Sequence, residues 1–180
     1  MTLGSILKEH PEWADLPIPV LLRLAGLQHH SIVTPDEPIT GVPVNTLIMT
    51  VGLPRSGKST WARQQGHPIV NPDAIRLVLY GRAYQREGER MVWTVAHYMV
   101  EALFMAGHQT VILDATNCRE SLRKEWRNRA WVAKLHVVNT DPVLCRNRAI
   151  ASDQEYLLPV IDRMVIDLLD NPPGPEWEFV

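Results

Sequence analysis

Residues 52–60 read GLPRSGKST, after the apolar run TLIMTV at 46–51 and before WARQQ at 61–65. Gly52, Gly57, Lys58 and Ser59 keep the Walker A spacing, and the neighbouring runs supply the strand before it and the helix after it that the motif needs. Glycines let the backbone turn its N–H groups inward around phosphates. The lysine adds a point charge for the β- and γ-phosphates, and the serine hydroxyl can ligate magnesium. A helix that opens at the loop directs its positive end at the same anion. Gly52, Leu53, Pro54, Arg55, Ser56, Gly57, Lys58, Ser59 and Thr60 are therefore the candidate nucleotide-binding residues, with ATP and Mg2+ as the expected ligands.

Outward from the loop, the chain alternates. TLIMTV, PIV at 68–70, TVILDA at 110–115 and KLHVVN at 134–139 are short apolar runs rich in β-branched residues, each followed by a helical segment. That rhythm predicts an α/β chain of the P-loop NTPase fold, with a parallel sheet of four or five strands and helices on both faces. The last residues, EWEFV at 176–180, are a candidate edge strand. Val92, Val95, Ala96, Met99, Leu103 and Ala106 share one helical face, and AGH at 106–108 supplies a glycine stop. Asp141 and Pro142 read as an N-cap and first helical position, and LPVIDRMVIDLLDNP at 158–172 as a last amphipathic helix. Before this rhythm begins, SILKEH and PVLLRLAGL are short helical pieces broken by proline. The expected organisation is an N-terminal helical arm over 1–45 and a P-loop kinase domain over 46–180.

Composition narrows the class. A chain of 180 residues with 46% hydrophobic and 21% charged residues can bury one full core. No apolar run reaches the roughly 18 residues of a membrane span, and the basic start of a signal peptide is missing, so the expectation is a cytoplasmic protein without a membrane partner. Cys118 and Cys145 lack metal-ligand or disulfide spacing and read as reduced structural thiols. The net charge of -2 is unevenly spread: -3 over residues 1–45, +3 over 46–72, +4 over 73–149 and -6 over 150–180. A basic middle between acidic flanks suits a polyanion held locally better than a nucleic acid gripped by the whole surface.

A kinase, unlike a simple NTPase, needs a carboxylate that takes the proton of an acceptor hydroxyl beside the phosphate loop. Asp73 follows the second strand, and Arg76 lies three residues on along the same helical face; together they can orient a hydroxyl and hold an adjacent phosphate. The rival reading of Asp73 is a cap for a helix starting at Ala74. Asp114, Thr116 and Asn117 close the third strand, where ligands of such sheets gather, and complete the candidate acceptor-binding set. Asp114 is also the candidate metal ligand beside Ser59. Asn117 has its own structural reading, as the cap of a capping box closed by Glu120. Arg146 and Arg148, near the start of the helix after the fourth strand, are candidate lid cations for the charge that builds on a transferring phosphoryl group. Because residues two apart on a helix point to different sides, one of them reads as an ordinary solvated side chain. Arg119, Arg123, Arg127 and Arg129 read mainly as a wet helix face.

Taken together, GLPRSGKSTWAR at 52–63, NPDAIR at 71–76, DATN at 114–117 with RKEW at 123–126, and CRNR at 145–148 resemble the kinase domain of the phage-type 5'-polynucleotide kinases. The likeness runs from about residue 46 to about residue 170. It implies ATP-dependent transfer of a phosphoryl group to the 5'-hydroxyl of a nucleic acid end. By the same resemblance Lys58 and Ser59 bind the nucleotide, Asp73 is the general base, Arg76 contacts the acceptor's 3'-phosphate, and Asp114 helps to hold the acceptor. DATN carries an alanine that shifts Asp114 by one place, and the second lid arginine of the family falls on Ile150, with Arg148 as the nearby substitute. No DxDGT phosphatase motif follows the likeness. Two other readings stay open: a small-molecule kinase acting on a sugar, nucleoside or antibiotic hydroxyl, and a nucleotide-dependent binding module.

Overall fold

The computed structural model describes residues 45–82, 84 and 86–180, so the helical arm expected over 1–45 lies, but for Asn45, outside the described residues. The β-branched runs form five strands: β1 (Thr46–Val51), β2 (Ile69–Val70), β3 (Thr110–Leu113), β4 (Val132–Val137) and β5 (Glu178–Phe179). Their order across the sheet is β2-β3-β1-β4-β5, and every pairing is parallel. Strand β4 starts two residues earlier than KLHVVN suggests, because Val132 pairs with Thr46 at the foot of β1. The EWEFV tail supplies the edge strand, tied by the Lys134–Glu178 ion pair at 3.0 Å.

Among the described residues six α-helices link or follow the strands: α1 (Lys58–Gln64), α2 (Pro72–Tyr80), α3 (Glu89–Met105), α4 (Glu120–Lys124), α5 (Pro142–Ile150) and α6 (Leu158–Asp170). The two-residue period of a strand sends alternate side chains to opposite faces. Leu47, Met49 and Val51 of β1 join Val111, Leu113 and Leu135 in one core with Val92, Ala96 and Val100 of α3. Ile48 and Ile112 point the other way, against Ala62 of α1. A third cluster, Leu53, Cys145, Ala149 and Ile161, joins the phosphate loop to α5 and α6. Among the described residues no helix is long and apolar enough to cross a membrane.

Two local expectations are corrected. The buried line of α3 is Val92, Ala96 and Val100, while Met99 is 40% exposed and Ala106 ends the helix at the surface. The helix is rotated so that the strict four-residue row faces the sheet, with Val95 and Leu103 at its margin. Asn117 does not cap α4. That role falls to Arg119, without a side-chain bond, and Asn117 sits at φ 44° with its Nδ2 donating to Thr50 O at 2.9 Å. The long-range tie to β1 outweighs the local capping box. The other predicted cap is present, with Asp141 accepting from Val143 N at 2.7 Å ahead of Pro142.

Candidate active site

Parallel strands bring all their carboxyl ends to one edge, and the strand order decides which chemistry meets there. The segment after β1 is the phosphate loop; β3, beside it, ends at Asp114; β2, next outward, leads to Asp73; and β4, on the other side, leads to α5 with its arginines.

The loop is built from both backbone and neighbours. Gly52 has φ 150°, and a β-carbon there would stand 2.6 Å from Val138 O, so only glycine fits. Gly57, at φ 107°, is the left-handed N-cap of α1. The loop's outward carbonyls are held from the β4 side: Ser56 O accepts from Thr140 Oγ1 at 2.8 Å and Arg55 O from Arg148 Nη1 at 3.1 Å. On the β3 side, Gly52 N donates to Thr116 O at 3.0 Å, and Thr50 Oγ1 to Ala115 O at 2.8 Å. Lys58 is buried beneath the loop, its ammonium donating to Leu53 O at 2.5 Å. Burial holds this ammonium below its ordinary range, and the charge of Asp114 acts against the shift.

A cavity of about 570 Å³ opens over the loop, lined by Arg55, Lys58, Arg63 and Arg148 and by no carboxylate. Four cationic side chains around backbone N–H groups and a helix N-terminus make a receptor for a polyphosphate. Arg148 belongs to this lining and Arg146 does not; Arg146 pairs instead with Asp162 of α6. The cause is helical geometry: Cys145 and Ala149 turn α5 toward the core, and residues 146 and 148, roughly 200° apart, leave on opposite flanks. Ile150 is 46% exposed.

On the β2 side, Asn71 caps α2 by accepting from Ala74 N at 2.9 Å, which displaces Asp73 from the capping role. The same Asn71 donates through Nδ2 to Asp114 Oδ2 at 2.9 Å, joining the ends of β2 and β3. Asp73 is left with a side chain 78% exposed, bonded to Arg76 Nη1 at 2.5 Å. Arg76 is 9% exposed and gives Nε and Nη2 to the two oxygens of Glu89, both at 2.7 Å. That bonding, led by Glu89, pushes the guanidinium above its ordinary range. Glu89 is the residue that sequence reasoning missed; it opens α3, thirteen positions from its partner, and only the fold reveals the pairing.

The acceptor-binding set expected from β3 separates. Asp114 is buried and bonded to Asn71, Thr116 contributes its carbonyl to Gly52, and Asn117, 1% exposed, lies beneath the surface bracing β1. Arg123 is also corrected: it is no wet helix face but wholly buried, donating to the carbonyls of Asn117, Cys118 and Asn171 at 2.8–2.9 Å. Both cysteines are buried and free, and burial pushes the Cys118 thiol up to about 11. Among the described residues no group of three or more His, Cys, Asp or Glu side chains is placed to hold a metal. In a phosphate site magnesium takes one or two protein oxygens and completes its shell with phosphate and water. Ser59 Oγ and the Asp114 carboxylate supply oxygens of that kind.

The model of the AAA domain family matches residues 47–155, more than half of the chain. The chain belongs to the AAA domain family. Its AAA domain has the α/β P-loop NTPase fold, as solved structures also indicate. One structure of the Pnkp1/Rnl/Hen1 complex is 27% identical, with TM-score 0.51, over 58% of this chain and 39% of its own. A structure of the Pnkp1/Rnl/Hen1 RNA repair complex is 19% identical, with TM-score 0.63, over 75% of this chain and 47% of its own. The chain thus spans less than half the length of those two. A sugar kinase from Janibacter sp. is 17% identical, with TM-score 0.52, over 77% of this chain and 84% of its own. No curated protein matches the chain.

Proposed function

We propose that residues 46–180 form an ATP-dependent kinase transferring the γ-phosphoryl group to the 5'-hydroxyl of a polynucleotide. The observation that carries this reading is the place of Asp73: an exposed carboxylate, tethered to Arg76, in the helix that follows β2 at the same sheet edge as the phosphate loop. A carboxylate so placed can take the proton of an acceptor hydroxyl. The polynucleotide as acceptor is supported by the motif likeness, by the cations of the cavity, and by the 27% identical Pnkp1/Rnl/Hen1 complex among the structural relatives.

In this mechanism Asp73 takes the hydroxyl proton as the acceptor oxygen bonds to the γ-phosphorus, and the bond from that phosphorus to the β–γ bridging oxygen breaks. Lys58, the loop N–H groups and Arg148 neutralise the negative charge on the transferring group and on the departing ADP. Ser59 and Asp114 would hold magnesium, which would supply positive charge to the phosphates.

A specific observation favours a second reading, a small-molecule hydroxyl kinase: Arg76, to which the resemblance gives the acceptor's phosphate, is occupied by Glu89. The deciding experiment follows labelled γ-phosphate from ATP to short 5'-hydroxyl oligonucleotides and to a panel of sugars and nucleosides, at low and high salt. Salt-sensitive labelling of the oligonucleotide supports the first reading, and labelling of a metabolite alone establishes the second. Asp73→Asn should keep ATP binding and lose transfer by roughly 10²- to 10⁴-fold; undiminished transfer in that variant removes Asp73 from the mechanism.

A further inference from the structure

Arg55 occupies a loop position with φ 64°, a left-handed conformation in which a β-carbon is crowded and which glycine adopts freely. An arginine kept there strains the loop that must hold the phosphates, so its side chain is expected to contribute something in return. The side chain reaches across to the end of α5. Its Nη2 donates to Arg148 O at 3.4 Å and to Ser152 Oγ. Arg148 returns the contact, its Nη1 donating to Arg55 O at 3.1 Å and to Ser56 O at 3.5 Å. Each arginine thus holds the other's backbone, and both line the cavity over the loop. The two are 93 residues apart in the chain, so this exchange is a tertiary device.

We propose that Arg55 is a positioning residue: by clasping the end of α5 it fixes the Arg148 guanidinium over the nucleotide phosphates. Arg148 leaves an exposed stretch of α5, and a long side chain there would otherwise lose rotamer freedom each time it closed on the phosphates. The reciprocal bonds remove that freedom in advance, which is how preorganisation raises both affinity and rate. The left-handed backbone at position 55 serves the same end, since it turns the carbonyl toward Arg148. For its catalytic consequence the proposal rests on the kinase reading; the clasp itself is independent of any acceptor.

The test is a double-mutant cycle of Arg55→Gly and Arg148→Ala, read on the ATP dissociation constant by calorimetry and on the rate of γ-phosphoryl transfer. Glycine accepts φ 64° without strain, so Arg55→Gly should melt no lower than the parent chain. It should nonetheless weaken ATP binding and slow transfer about tenfold, the loss expected for charge-assisted bonds. Arg148→Ala should lose more, roughly 10³-fold in transfer. The double variant should be no worse than Arg148→Ala alone, because Arg55 acts through Arg148. Arg55→Lys, which restores a donor, should recover part of the loss. Losses that multiply in the double variant, or full affinity and rate in Arg55→Gly, overturn the proposal. If no acceptor is phosphorylated by the parent chain, the kinase reading fails by itself, and the cycle on ATP affinity still decides for or against the clasp.

Discussion

Lys58 shows how a single residue is set between two demands. Burial disfavours its charged form and lowers its pKa from the ordinary 10.5, while bound phosphates would favour that form and raise it again. Between the two values, binding takes up a proton. ATP affinity should therefore fall as the pH climbs through the lowered value of the free protein. Calorimetry in buffers of different ionisation enthalpy, near neutral pH and in the alkaline range, would detect the uptake; affinity that rises with pH contradicts the placement. Glu89 makes a second case. It holds two edges of the Arg76 fork while the third holds Asp73, so the Asp73 carboxylate is oriented from α3. Glu89→Gln keeps the shape and removes the charge, and kcat for transfer should fall about tenfold, the scale of one weakened charge-assisted bond, while KM for ATP stays unchanged. An unchanged kcat would make Glu89 a matter of stability alone.

At the scale of elements, Arg123 ties the turn before α4 to the end of α6 through three carbonyl groups. Arg123→Ala leaves these buried acceptors unpaired and should cost about 3 kcal/mol in chemical denaturation. Nothing in RKEW distinguishes this arginine from its neighbours, because a charge is read as solvated until a cluster of carbonyls is seen to surround it. The elements themselves were legible: β1, β2, β3 and β4 announce themselves as β-branched runs, and the phosphate loop is fixed by its own spacing. What escaped was whatever depends on partners distant in the chain. Asn117 looked like a cap because Glu120 is near in sequence, yet Thr50, far away in sequence, claims its amide. Arg146 and Arg148 read as one lid cation and one solvated side chain, and the Cys145–Ala149 row, by fixing the rotation of α5, decides which is which. The face of α3 reads as core, and Val92 and Ala96 do lie in its buried line, but Val100 stands where Met99 is expected, since periodicity gives a stripe and only the sheet beneath it selects the line.

For the whole molecule, acid is the condition to vary. His97 is stacked on Trp126, centroids 3.8 Å apart and planes within 5°, and burial holds its pKa below the ordinary 6.5 despite the opposing pull of Glu101 and Glu125. The unfolded chain thus binds a proton more readily than the fold does. Stability should be complete above 6.5 and decline as the pH falls below it, toward the lower value of the native state. Melting curves at pH 7.5 and pH 5.5 should show the decline, and His97→Gln should flatten it; an equal decline in that variant assigns the acid sensitivity to other groups. The sheet carries a consequence of another kind. Its two outermost strands, β2 and β5, are two residues each, while the longest strands lie at the centre. A rim so short offers a passing chain too few backbone groups to zip onto, so the fold guards against fibre-like stacking by the way its sheet tapers.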